Sequence, residues 1–105
     1  MTERRRLSNR RFSETFAVEA QGMRFTATVS RFDSGEIAEI FLSNHRSGSG
    51  ADANAFDAAV ICSLALQHGV PLETIRRALM RDGRGLARSP LAAALDVIAE
   101  EGSLP

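Results

Sequence analysis

The chain has 105 residues, 44% of them hydrophobic and 25% charged, with a formal net charge of zero, so one globular domain with a real core is expected. Cys62 is the only cysteine, which excludes an internal disulfide, a CxxC redox pair and a cysteine-rich metal site; no apolar run approaches the roughly 20 residues of a bilayer span, so a soluble, cytoplasmic protein is expected. The neutral total hides two basic clusters, all arginine: Arg4, Arg5, Arg6, Arg10 and Arg11 beside one acid, and Arg76, Arg77, Arg81, Arg84 and Arg88 beside another, while the rest of the chain is strongly acidic.

Residues 1–12 lack hydrophobic periodicity and read as a flexible arginine-rich arm. From Thr15 the pattern alternates. Phe16, Val18 and Ala20 share one face, Gln21-Gly22 offers a turn, and Met23, Phe25, Ala27 and Val29 continue the alternation, which predicts a hairpin. Asp33-Ser34-Gly35 makes a second turn into a third strand, Ile37 to Leu42. Strict alternation there places Ala38, Ile40 and Leu42 on the core face and Ile37 and Phe41 on the other, and makes Ile37 and Phe41 candidates for a homodimer or partner interface.

Such a meander is too small to stand alone and needs a cover. After a polar loop, Asp52 to His68 has helical spacing, with Ala55, Phe56, Ala59, Val60, Ser63, Leu64 and Gln67 on one face and Gly69 just past its end. Pro71 opens a short helix to about Met80, with Leu72, Ile75, Leu79 and Met80 inward. Ser89 caps a third helix whose stripe is Leu91, Ala94, Leu95 and Ile98. Strands first and helices second predict an α+β fold: a three-stranded antiparallel meander covered on one face by a helical hairpin, plus a C-terminal helix. The expected divisions are the arm at 1–12, the α+β domain at 13–82, a linker at 83–89 and the last helix at 90–101.

The strand segment GEIAEIFLSN, the loop HRSGSGAD and the helix end ICSLALQHGVPLETIRRAL, taken together, resemble the TSCPD domain over about residues 16–80. This is the small module at the C-terminal end of adenosylcobalamin-dependent ribonucleotide reductases, also found as short separate proteins. The resemblance implies an accessory or binding role in ribonucleotide reduction, nucleotide metabolism and the supply of DNA precursors. It implies a ribonucleotide reductase or another nucleotide-handling protein as partner. The reductases' large cofactor-bearing barrel has no counterpart here, and neither do the C-terminal cysteines thought to relay reducing equivalents; one sulfur cannot perform dithiol exchange. No cofactor is expected.

Two further sites are legible. Arg46, Ser47, Gly48, Ser49 and Gly50 precede a helix N-terminus, where free N–H groups favour an anion such as a nucleotide phosphate, although Asp52 can cap the same groups. The arm, with Arg76, Arg77 and Arg81, forms a candidate basic surface. It carries the alternative function, a regulator that holds nucleic acid through phosphate contacts. His45 and His68 show no metal-ligand spacing, Ser63 has no base at helical reach, and no catalytic residue can be named.

Overall fold

The computed structural model describes residues 3–7, 12–44 and 49–102. Three strands, β1 (Ser13–Ala20), β2 (Met23–Arg31) and β3 (Ile37–Asn44), form an antiparallel sheet in the order β1-β2-β3. Three helices follow: α1 (Gly50–Gln67), α2 (Leu72–Ala78) and α3 (Pro90–Gly102). The fold is α+β, and its elements appear in the expected order.

Local chemistry sets the boundaries. Gln21 and Gly22 both have positive φ, 53° and 74°, as a two-residue turn between right-twisted strands requires. Gly69, at φ 94°, closes α1 with paired bonds from Gly69 N–H to the Leu66 carbonyl and from Val70 N–H to the Ala65 carbonyl. The Ser89 hydroxyl accepts the Ala92 N–H at 3.1 Å and starts α3.

The core lies on one side of the sheet, where Val18, Phe25, Val29, Ile40 and Leu42 meet Ala55, Ala59, Cys62 and Leu66 of α1 and Leu91, Leu95 and Ile98 of α3. The helices that complete the cover are therefore α1 and α3, with α2 lying against α3; Leu72, Ile75 and Leu79 are only partly buried and Met80, expected inward, is exposed. The 83–89 stretch is an ordered loop. Asp82 Oδ1 accepts the N–H groups of Arg84 and Leu86, and Arg81 bridges to Ala87.

Two sequence expectations fail for stated reasons. Ser30 pairs with Glu39 but Arg31 pairs with Ile37, so Ala38 is an extra residue in β3, a bulge. The bulge shifts the alternation by one, turning Ile37 inward, where it is 8% exposed and packs in the core. Phe41 stays on the outer face beside Thr28, which in turn faces Thr15. The inward face of α1 is also rotated from the expected one: Cys62 and Leu66 are core residues, whereas Phe56 and Leu64 are exposed.

Polar bonding fixes one side of α1. β3 is an edge strand, and its outward peptide groups would lose water when α1 covers them. Ser63 Oγ accepts the Ile40 N–H at 2.8 Å and donates to the Ile40 carbonyl at 3.0 Å. Gln67 Nε2 donates to the Ala38 carbonyl at 3.1 Å, and Asp52 Oδ1 accepts the Asn44 N–H at 2.9 Å. These three polar residues face the strand edge, and Ala55, Ala59, Cys62 and Leu66, on the adjoining side of α1, enter the core. Ser63→Ala strips both partners from Ile40 in a buried setting, and should lower unfolding free energy by about 1–3 kcal/mol in denaturant titration. Ser43→Ala on the exposed face should change it by less than about 0.5 kcal/mol.

Candidate functional site

The loop that was read as an anion site is only partly described: Arg46, Ser47 and Gly48 lie outside the described residues, as does His45. Ser49 is the N-cap of α1, its hydroxyl accepting the Asp52 N–H at 3.1 Å, and Gly50 is the first helical residue. The helix start is thus capped by its own serine, and the Asp52 carboxylate is turned to β3 instead of to the helix N–H groups.

Two members of the first arginine cluster, Arg4 and Arg5, are docked on the fold; Arg10 and Arg11 lie outside the described residues. Arg4 Nε donates to Gln67 Oε1 at 2.5 Å, and Arg5 N–H donates to the Gln67 carbonyl at 2.6 Å, at the C-terminus of α1 where positive charge is favoured. The Arg5 guanidinium lies 4.0 Å from the centroid of the buried Phe32 ring while donating to Ser34 Oγ at 2.8 Å and Glu36 at 3.1 Å. Residues 3–7 form a strap across the end of α1 and the β2–β3 turn, where an arm free of the domain was expected. Arg6 is exposed.

The second cluster is likewise tied inward. Arg81 grips Asp96 of α3 with two bonds, 2.8 and 2.6 Å, and also donates to the Gly85 carbonyl. Arg76 bridges Glu73, at 2.8 and 2.6 Å, to Asp96 at 3.1 Å. Arg77, largely exposed, contacts Glu73 at 3.0 Å. Two carboxylates therefore offset most of the charge of three arginines, and the exposed arginines of this second cluster are Arg77, Arg84 and Arg88.

The groups capable of chemistry are similarly engaged. Cys62 is buried, and that burial pushes its thiol up to about 11, so it is protonated and unreactive near neutrality. Both hydrogen-bonding capacities of Ser63 are taken by Ile40. His68 caps the C-terminus of α1. No three His, Cys, Asp or Glu side chains gather as a metal site among the described residues. A cavity of about 270 Å³ lies between the β1–β2 turn, α1 and the start of α3, lined chiefly by Met23, Phe25, Ala55, Ala58, Leu79 and Leu91, and it holds no acid or base.

Hydrogen bonds from Arg76 and then Arg77 hold the Glu73 carboxyl down, from an ordinary 4.5 to about 2, and those from Arg81 and Arg76 hold Asp96 below its usual range against the effect of burial. A carboxyl depressed in the folded state stabilises above its unfolded pKa, and that contribution disappears as pH falls through the folded value. The thermal midpoint should accordingly fall between about pH 5 and pH 2. Asp96→Asn should start with a lower midpoint at neutral pH and show a shallower fall over the same acid range, both read by circular dichroism.

Comparison with known proteins adds what this geometry alone does not contain. The TSCPD domain family model matches residues 2–101, extending past the 13–82 stretch expected for the domain at both ends. A vitamin B12-dependent ribonucleotide reductase of Agrobacterium fabrum is 38% identical over 71 residues, 68% of this chain and 6% of the reductase. Another, from Bradyrhizobium diazoefficiens, is 32% identical over 73 residues, 70% of this chain and again 6% of the enzyme. The chain therefore corresponds to a small segment of those relatives. No solved structure matches it significantly. With the family model spanning nearly its whole length and the α+β fold described above, the chain belongs to the TSCPD domain family.

Proposed function

We propose that this protein is a non-catalytic accessory module that acts by binding a protein of ribonucleotide reduction, a ribonucleotide reductase in the first instance. The observation that carries this reading is the proportion of the similarity: about two thirds of the chain corresponds to 6% of a vitamin B12-dependent reductase. A segment so small relative to the enzyme is suited to contact and regulation more than to radical chemistry. The buried, protonated Cys62 supports the same reading, because thiol exchange requires an accessible thiolate. The role belongs to the cytoplasm and to the supply of DNA precursors. No described helix is long and apolar enough to cross a membrane.

Binding to nucleic acid through the arginine clusters has less support, since Arg4, Arg5, Arg76 and Arg81 already hold partners within the fold. Phosphate contacts would have to displace those bonds or use the remaining arginines.

The purified chain, given adenosylcobalamin, a dithiol and a ribonucleotide, should yield no deoxyribonucleotide, while isothermal titration against the reductase of the same cell should show saturable binding. Cys62→Ala should bind equally well. Turnover by the chain alone, or loss of binding in a folded Cys62→Ala protein, would overturn the reading.

A further inference from the structure

The two edges of the sheet are finished differently. Side chains of α1 bond the outward peptide groups of β3, but among the described residues nothing bonds those of β1. The two-residue turn at Gln21-Gly22 fixes which groups these are. It makes Ala20 and Met23 a hydrogen-bonded pair, so Val18, Phe16 and Glu14 bond to β2, while the N–H and carbonyl groups of Ser13, Thr15, Ala17 and Glu19 point away from it. All four of those residues are exposed. β1 is eight residues long, has no proline and pairs with β2 without a bulge, so apart from its two acids it has none of the devices that keep another strand off an edge. The outer face of the sheet offers less, because Phe41 there stands among Thr15, Thr28 and Ser43.

We propose that β1 is a dimer interface: its free edge pairs antiparallel with β1 of a second copy about a two-fold axis at Phe16, joining two three-stranded sheets into one. Two features select a second copy. The first is register. The outward set Ser13, Thr15, Ala17 and Glu19 is symmetric about Phe16, so that turned end for end it sets Ser13 against the partner's Glu19 and Thr15 against the partner's Ala17, and every outward N–H and carbonyl of the set is exchanged. A shift along the strand in either direction leaves end groups of the set unpaired. No acid faces an acid in this register, since Glu14 lies opposite the partner's Val18. The second feature is Phe12. It is 92% exposed, directly precedes β1, and by strand alternation falls on the side of Phe16, Val18 and Ala20. The same register sets it opposite the partner's Ala20, and Ala20 is one wall of the cavity of about 270 Å³ that Met23, Phe25, Ala55 and Leu91 also line. A dry cavity of about 150 Å³ already takes a benzene ring. Each copy thereby supplies an aromatic side chain to the cavity of the other.

Sedimentation equilibrium and amide hydrogen exchange of the full chain test this. The wild type should pass from 11.4 kDa toward twice that mass as concentration rises, and the amides of Ser13, Thr15, Ala17 and Glu19 should slow about tenfold or more over the same range. Phe12→Ala, at a position exposed in the monomer, should weaken dimerisation about tenfold and leave the thermal midpoint at low concentration unchanged. Ala17→Pro removes an N–H that β2 does not use, and should stay at the monomer mass with an unchanged circular dichroism spectrum. The inference is overturned if the wild type is monomeric at every concentration, if those four amides exchange equally fast in monomer and dimer, if folded Phe12→Ala dimerises as tightly as the wild type, or if Phe41→Asp and not Ala17→Pro abolishes the dimer. Protection of the same amides only when a reductase is added also overturns it, by giving the edge to a different strand. None of these outcomes requires that the chain fail to bind a reductase, so the proposed function stands or falls separately.

Discussion

The free edge of β3 is the constraint from which the rest of the architecture follows. A three-stranded sheet has two edge strands, and an edge that is to lie under a helix must have its peptide groups satisfied before it can be dehydrated. Another strand would do this with its backbone. Here α1 does it with side chains: Asp52 reaches Asn44, Ser63 takes both groups of Ile40, and Gln67 takes the carbonyl of Ala38. No buried side-chain nitrogen or oxygen is left without a partner among the described residues, so the arrangement is fully bonded as well as packed. Serine and glutamine are uncharged, which avoids the desolvation cost that an ionised group would incur in the same place.

Gln67 extends this contact beyond α1. Its amide nitrogen serves the bulged Ala38 and its amide oxygen receives Arg4, so one nearly inaccessible side chain ties the strap, the helix end and the irregular start of β3 together. The bulge in turn lets Ile37 join the core, and Arg5 closes the turn from outside by covering Phe32. The N-terminal strap is consequently part of the folded unit, in agreement with a family match that begins at residue 2.

Strands, turns and helix caps were legible in the sequence because each depends on neighbouring residues: alternation over Phe16–Val29, Gln21-Gly22, Gly69 and Ser89 all carry local signals. The orientation of α1 was not, because apolar residues occur on every side of it and periodicity then selects no face. Ser63 and Gln67 were placed on the inward face, yet what their polar groups do there, with Asp52, emerges only when the free edge is opposite them. Ile37 was misplaced because one inserted residue reverses the sides of a strand, and no residue type at Ala38 signals the insertion. The arginines near residue 80 were misread because their acid Asp96 lies 15 to 20 residues away, beyond the reach of any count of local charge.

Those arginines also give a physical meaning to a chain that has no lysine. Codon preference can exchange the two residues on a solvated surface, yet three arginines here occupy geometries that an ammonium cannot reproduce. Arg81 makes a parallel pair of bonds to one carboxylate, Arg76 spans two carboxylates with different nitrogens, and Arg5 lies over a ring while donating to two acceptors. Each is a use of the planar fork. The charge of these three arginines is therefore largely offset where they sit, and a count of basic residues along the chain overstates the positive charge that the folded domain presents to water.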